Sequence, residues 1–473
     1  MENKNTWEKY TDKQAEKCMK YCEGYKEFLS SCKTEREACE RIVRDAEKAG
    51  YRDLDKLIED GSSLSAGDKV YRVNMGKAVV LFNIGSDPLE QGLNILGAHI
   101  DSPRMDVNQN PLYEDSGFAY LDTHYYGGIK KYQWVTLPLA IHGVVVKKDG
   151  STVNVRIGED PKDPVFFVSD LLIHLAQTQM AKTASKVIEG EALDIIVGNR
   201  PVKIDKKEKE KKPSKAEEAV KKGILDILKE QSGIEEEDFV SAELEVVPAG
   251  AARDAGLDRN MILSYGQDDR VCAYSSYQAM LDVKKVKRTS CCILVDKEEI
   301  GSVGATGMQS KFFENTVAEV LALAGSYDDL RLKRCLANST MLSSDVSSAY
   351  DPTYASSFDK KNVAYLGCGM VFNKFTGARG KSGSNDANAE YLAHLRKIFD
   401  EEDVNFQTAE LGKVDLGGGG TIAYILALYG MNVIDSGVAV LSMHSPWEAT
   451  SKADVYETYR GYTAFLKKAE RIR

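Results

Sequence analysis

The sequence predicts an α/β protein whose layered sheet domain is interrupted by a smaller β-rich module, and three observations lead there. Two helical segments open the chain and are followed by apolar runs of strand length, Ala78 to Ile84 and Leu93 to Ile100. From about Met105 to Pro248 the pattern changes to short alternating segments such as Ile141 to Val146 and Val153 to Ile157. Beyond Ser290, strand-like and helical runs alternate, the rhythm of an α/β layered domain.

Taken in order, the first fifty residues carry helical spacing, and Thr34 with Glu37 forms a capping box for a helix that ends at Gly50. The module between residues 105 and 250 splits the layered domain into a first part, 1–104, and a second part, 251–473. Within the module, the tract from Lys203 to Lys222 is too dense in Lys and Glu to bury a core and reads as a solvated loop or helix. In the second part, Cys291 to Val295, Thr340 to Ser343 and Gly437 to Met443 read as strands, and Lys311 to Ala324 and Thr421 to Tyr429 as the helices between them.

Length and composition bound what such a chain does. With 473 residues and 43% apolar content it has enough apolar material for two or three cores. A formal charge of -10 supplies no general attraction for nucleic acid or an anionic membrane, so neither is an expected partner. No apolar run approaches the ~20 residues of a spanning helix, and the first residues lack a signal core, so a cytoplasmic location is expected. Nine cysteines without a CxxC pair read as reduced structural thiols.

Four of the strand-like runs end, at their carboxyl ends, in residues able to bind a metal: His99, the pair Glu298 and Glu299, Asp345, and His444. Ligands of open α/β sheets bind beyond those ends, so residues far apart in sequence converge there. In Gly97-Ala98-His99-Ile100-Asp101-Ser102-Pro103 the His-x-Asp spacing sets both side chains on one face of an extended segment, where Asp101 orients the imidazole. Neighbouring carboxylates at Glu298 and Glu299 point in different directions, so one can bind metal while the other holds an attacking water. Asp268-Asp269-Arg270 precedes a helical stretch, Val271 to Val286, and reads either as an N-cap or as a further ligand. Mixed imidazole and carboxylate donors suit zinc, with manganese or cobalt as substitutes. Gly417-Gly418-Gly419-Gly420-Thr421 opens a helix whose backbone donors, Gly418 and Gly419 among them, suit a substrate carbonyl or carboxylate, and it lacks the ending of a nucleotide loop.

The segments GAHIDSPR, QDDRVCAY, VDKEEIGSVGATG, LSSDVSSAYDPTY and LSMHSPWE resemble, in order and approximate spacing, the metal-site motifs of the aspartyl aminopeptidase family, over about Trp7 to Phe465. The resemblance implies a three-layer zinc-peptidase-like catalytic domain with the β-rich module serving in assembly. It implies two zinc ions per chain: Asp268 bridging, His99 and Asp345 on one ion, Glu299 and His444 on the other, with Glu298 as general base toward a metal-bridging water. The expected activity is removal of the N-terminal residue of peptides. His174, read here on a helix from Val168 to Met180, resembles a histidine that completes a neighbouring subunit's active site. The basic segment Asn373 to Lys381, with Lys374 and Lys381, falls where the family places groups for an acidic substrate side chain. It implies a homo-oligomer, a tetrahedral dodecamer. The Asp-Asp-Arg at 268–270 departs from the Asp-Asn of many members, so preference for Asp or Glu competes with broad or leucyl specificity. An assembly protein that merely retains the metal site is the remaining alternative.

Overall fold

The computed structural model describes residues 4–203 and 218–472, which fall into two compact units. The first comprises 1–102, 252–443 and 447–473; the second comprises 103–251 with 444–446. Most of the Lys203 to Lys222 tract lies outside the described residues, and its end enters the helix Ala219–Ser232.

The strands, in chain order, are β1 (Arg52–Asp53), β2 (Lys69–Asn74), β3 (Ala78–Asn83), β4 (Asn94–His99), β5 (Arg104–Asp115), β6 (Phe118–Tyr126), β7 (Leu139–Val146), β8 (Thr152–Ile157), β9 (Ile195–Gly198) and β10 (Ala242–Pro248). They continue as β11 (Arg253–Ala255), β12 (Met261–Ser264), β13 (Ser290–Val295), β14 (Thr340–Ser344), β15 (Ser347–Ser348), β16 (Met370–Asn373), β17 (Phe406–Ala409), β18 (Asn432–Gly437), β19 (Ala439–Leu441) and β20 (Glu448–Ser451).

In the first unit, the described strands form a nine-stranded sheet in the order β1-β2-β3-β13-β4-β14-β18-β16-β17. Its centre, β13-β4-β14-β18, is parallel. These strands are apolar on both faces, as a covered parallel sheet requires. Val79 and Leu81 of β3, Leu96 of β4, and Cys292 and Leu294 of β13 join one core with the helices Asp12–Ser31, Glu35–Lys48, Gln267–Asp282, Ala389–Glu401 and Lys452–Lys468. The intervening residues Val80, Phe82, Ile95, Cys291, Ile293 and Val295 join the other core, with helices Phe312–Leu323 and Asp329–Ala337. The sheet is thus the middle of three layers. A smaller sheet, β11-β12-β20-β19-β15, belongs to the same unit.

Local chemistry fixes the opening helices. Thr34 accepts from the Glu37 N–H while the Glu37 carboxylate accepts from the Thr34 N–H, the expected capping box. All nine cysteines are buried and unbridged. Among the described residues, no helix is long and apolar enough to cross a membrane.

The second unit is a six-stranded antiparallel sheet, β8-β7-β10-β5-β6-β9, with Met105, Leu121, Ala140, Val145 and Val246 buried. The helix expected from Val168 to Met180 is not formed. In its place are a single 3-10 turn, Ile173–Leu175, and a four-residue helix, Gln177–Met180. Among the described residues no layer covers the apolar run at 171–175: Leu171, Leu172, Ile173 and Leu175 are 49, 57, 67 and 69% exposed.

Thr421 to Tyr429 likewise shortens to the helix Ala423–Ala427, and the run Gly437 to Met443 divides. Asn432–Gly437 stays in the large sheet as β18, whereas Ala439–Leu441 becomes β19 of the small one.

Gly437 sits where this division occurs, and a Cβ there would stand 1.9 Å from the Asp345 carbonyl oxygen and 2.9 Å from the Cys272 sulfur. Backbone cannot yield as a side chain does, so Gly437→Ala is expected to destabilise the fold by roughly 1–3 kcal/mol. Urea unfolding midpoints of parent and variant check this; equal midpoints would show that the strand shifts without cost.

Candidate metal centre

Three neighbouring parallel strands, β13, β4 and β14, deliver side chains to one edge of the large sheet. His99 is the last residue of β4, Asp345 follows β14 directly, and Glu298 and Glu299 follow β13 on a 3-10 turn. The fourth expected ending departs from this pattern. His444 comes three residues after β19 of the small sheet, and residues 444–446 group with the second unit, where its Nδ1 lies 2.9 Å from the Gly128 carbonyl oxygen.

The turn bearing the glutamates is set by backbone conformation. Lys297 (φ 70°) and Gly301 (φ 95°) flank Glu298–Ile300 in the left-handed region, uncommon for a lysine and costly unless its surroundings hold it. Asp296 supplies that hold: its carboxylate accepts from the Lys297 N–H at 2.8 Å and from the Thr306 hydroxyl at 2.6 Å.

Asp101, wholly buried, ties the turn to the strand beside it. One oxygen accepts from the Glu298 N–H and the other from the Glu299 N–H, each at 3.2 Å. Its Oδ1 is also 3.3 Å from His99 Nδ1, and its carbonyl oxygen is 3.1 Å from the same nitrogen. Two acceptors at Nδ1 hold an imidazole proton there, so that Nε2 is the nitrogen left to donate a lone pair where a metal takes the place of its proton. Nε2 faces Asp268 Oδ1 at 3.2 Å and Glu298 Oε2 at 3.9 Å.

Asp268 is no N-cap. Gly266 occupies the cap position of the helix Gln267–Asp282, and Asp268 and Asp269 have non-helical backbone angles about a cis peptide bond. The Asp268 backbone is held from both sides: its carbonyl accepts from the Ser102 hydroxyl at 2.7 Å, and its N–H donates to Glu448 Oε2 at 3.0 Å. Ser102 and Glu448 were not singled out from the sequence, although both lie inside the segments GAHIDSPR and LSMHSPWE; the signal was their proximity to His99 and His444.

His99, Asp268 and Asp345 bring one ligand atom each to within 4.8 Å of one another. The electrostatics of the cluster suit a cation. Burial opposes protonation of His99, yet the carboxylates of Asp101, Asp268 and Glu298 hold its pKa well above the ordinary value. Burial and the neighbouring carboxylates of Glu298 and Asp269 push Asp345 well above the carboxylate range. Burial likewise raises Asp269, whose carboxylate lies beside that of Asp268. Crowding buried carboxylates in this way is costly, and a divalent ion among them offsets the repulsion. The donor set, imidazole and carboxylate oxygen, is one that zinc accepts.

The remaining expected residues lie outside this cluster. His174 is exposed on the turn Ile173–Leu175. Lys374 and Lys381 both face Asp386, at 3.8 and 2.9 Å, so part of the basic character of that segment is neutralised within the chain. The glycine loop is committed internally as well: the Gly419 N–H donates to the Thr376 carbonyl at 3.0 Å, and a Cβ on Gly418 would stand 2.2 Å from the Ala378 Cα. The Gly419 N–H is thus engaged within the chain, and the helix after the loop is five residues long. Thr421 donates to the buried carboxylate of Asp435 at 2.6 Å, anchoring the end of the loop to β18.

Comparison with known proteins agrees with the motifs. The family model described as aminopeptidase I zinc metalloprotease (M18) matches residues 28–466. A probable M18 family aminopeptidase 1 from Clostridium acetobutylicum is 62% identical over 465 residues, 98% of each chain. The crystal structure of an M18 family aminopeptidase from Thermotoga maritima superposes with a TM-score of 0.92 at 44% identity, covering 99% of this chain and all of that one. More distantly, the fold is shared with the S. cerevisiae mApe1 dodecamer, 21% identical with a TM-score of 0.73 over 94% of this chain and 95% of that one. The chain belongs to the M18 family of zinc metalloproteases and is an aminopeptidase.

Proposed function

We propose that this aminopeptidase works with two metal ions and with Glu298 as its general base. The observation that carries the reading is the single buried carboxylate of Asp101, which holds the Glu298 and Glu299 N–H groups and faces the imidazole of His99. His99, Asp268 and Asp345 hold one ion. Asp268 and Glu299, whose ligand atoms come within 4.8 Å, hold the other with His444. The Gly128 carbonyl on Nδ1 of His444 fixes the tautomer in which Nε2 is the donor. Zinc fits these donors, and manganese or cobalt fits them too.

Bound divalent ions supply a lowered water pKa, a polarised scissile carbonyl and an anchor for the free amine. The chain's own part follows from its geometry. Asp101 keeps the Glu298 turn fixed, so the Glu298 carboxylate stays close to His99 without displacing it. Glu298 takes the proton of the attacking water and hands it to the departing amine. A free amine beside the scissile bond is what distinguishes an exopeptidase substrate, and peptides are the substrates proposed.

We assign acidic N-terminal residues as the preferred ones, through Lys374 and Lys381. Asp386, which pairs with both lysines, favours the competing reading of broad or leucyl specificity. The second unit serves assembly, since its run Leu171 to Leu175 exposes contiguous apolar side chains of the kind that mark an interface. The mApe1 dodecamer shares this fold, and we propose for this chain a homo-oligomer, a tetrahedral dodecamer, in which His174 reaches a neighbouring subunit's site. A cytoplasmic location accords with reduced cysteines.

Glu298→Gln is expected to retain its metal content while kcat falls by about a hundredfold or more; near-normal turnover with full metal removes Glu298 from the role. Hydrolysis of Asp-, Glu-, Leu- and Ala-peptides is expected to favour the acidic pair and to stop on chelation, and faster Leu cleavage would reassign the specificity. Leu172→Ser with Ile173→Ser is expected to lower the sedimenting mass of the assembled protein, whereas an unchanged mass places the interface elsewhere.

A further inference from the structure

At the opposite end of the large sheet from the metal residues, near the amino ends of β4 and β13, the first unit holds a cavity of about 700 Å³. Lys287, Arg288, Lys397, Lys467, Lys468 and Arg471 line it, against three carboxylates, Asp87, Glu401 and Glu470. A surplus of three positive charges gathers here on a chain whose formal charge is -10. Six-residue strands separate the two ends by roughly 17–20 Å, so the cavity is no extension of the metal centre.

Arg288 is the unusual member. It is 6% exposed, and its Nη2 donates to the backbone carbonyls of Leu93, at 3.2 Å, and Asn338. Nε and Nη1 are buried without a hydrogen-bond partner, and among the described residues no carboxylate forms an ion pair with this guanidinium. Burial pulls its pKa down to about 10, which leaves it cationic at neutral pH. A buried charge whose hydrogen bonds go only to carbonyl dipoles is costly, and a cavity lined by further cations adds repulsion unless an anion enters.

The acids present supply that compensation only in part: Asp87 acts on Arg288 through space without forming an ion pair with it. Glu401 is engaged by Lys468 at 3.3 Å and Lys397 at 4.0 Å. The backbone N–H of Glu470, not its carboxylate, donates to His394 Nε2 at 3.1 Å, which keeps that nitrogen unprotonated. Burial also lowers the His394 pKa. Lys467 and Arg471, both exposed, take part in no ion pair between described residues at the cavity mouth.

We propose that this cavity is a binding site for a small phosphate-bearing anion, with Arg288 as its buried charge and Lys467 and Arg471 as its outer clamp. A phosphate group carries about -1.5 to -2 charges and three acceptor oxygens, a better match to several converging cations than a single carboxylate. Cavities of this volume hold ligands up to nucleotide size, so free phosphate and a nucleotide share the required chemistry.

The test uses the full-length, metal-loaded protein at constant ionic strength. Calorimetric titration is made with inorganic phosphate and, separately, with AMP, on the parent and on a Lys467→Gln/Arg471→Gln double variant. Arg288→Gln is measured alongside, but the double variant carries the test because its changes are on the surface. Saturable binding to the parent, weakened at least tenfold in the double variant with peptide hydrolysis unchanged, supports the site. AMP binding alone assigns a nucleotide, and phosphate binding alone assigns the free ion. Absence of binding to the parent overturns the proposal, and so does binding that the double variant retains or that inhibits hydrolysis in both proteins, since it then occurs at the metal centre.

Discussion

The buried carboxylate of Asp101 is the constraint on which the candidate site depends. It stands between two parallel strands, accepts two successive backbone N–H groups from one and faces the imidazole that ends the other. Each of those contacts is an ordinary hydrogen bond, worth about 1.5–3 kcal/mol when the acceptor is charged. Their combined effect is geometric: the imidazole tautomer and the direction of both glutamates are set together, while Asp296 holds the left-handed backbone at Lys297 just before them. Backbone groups elsewhere extend the same logic, with Ser102 and Glu448 holding the Asp268 peptide in place.

Much of the large sheet was legible because a covered parallel strand has few ways to be written. Ala78 to Ile84, Leu93 to Ile100 and Cys291 to Val295 are mostly apolar without alternation, which at this short length favours a strand buried on both faces. The runs Leu93 to Ile100, Cys291 to Val295 and Thr340 to Ser343 lead to His99, the Glu298–Glu299 pair and Asp345, so three neighbouring strands and their chemistry could be read together.

What resisted reading was tertiary in origin. The five residues from Leu171 to Leu175 have helical composition, yet among the described residues no layer of their own unit covers them, and a short apolar segment without packing does not hold a helix. The run from Gly437 to Met443 looks continuous, but the chain leaves one sheet and enters another at Val438, which no local pattern reveals. Asp268 and Asp269 looked like a cap because acidic residues before a helix usually are one; Gly266 takes the cap position instead, and the Asp268 backbone is held by Ser102 and Glu448, both distant in sequence. In the glycine loop, proximity to Thr376 and Ala378 determines which N–H groups are committed.

The alternation of the central strands also divides the thiols. Cys291 and Cys292 are adjacent in sequence yet lie in different cores, Cys291 with Cys335 in one layer and Cys292 with Cys18, Cys22, Cys32, Cys39 and Cys272 in the other. Burial pushes the Cys335 and Cys39 thiols up to about 12, so in the folded state neither presents a thiolate to a reagent. Any modification must wait for its own layer to part from the sheet. The chain therefore carries native probes on both sides of one sheet, and the order in which they react reports which side opens first.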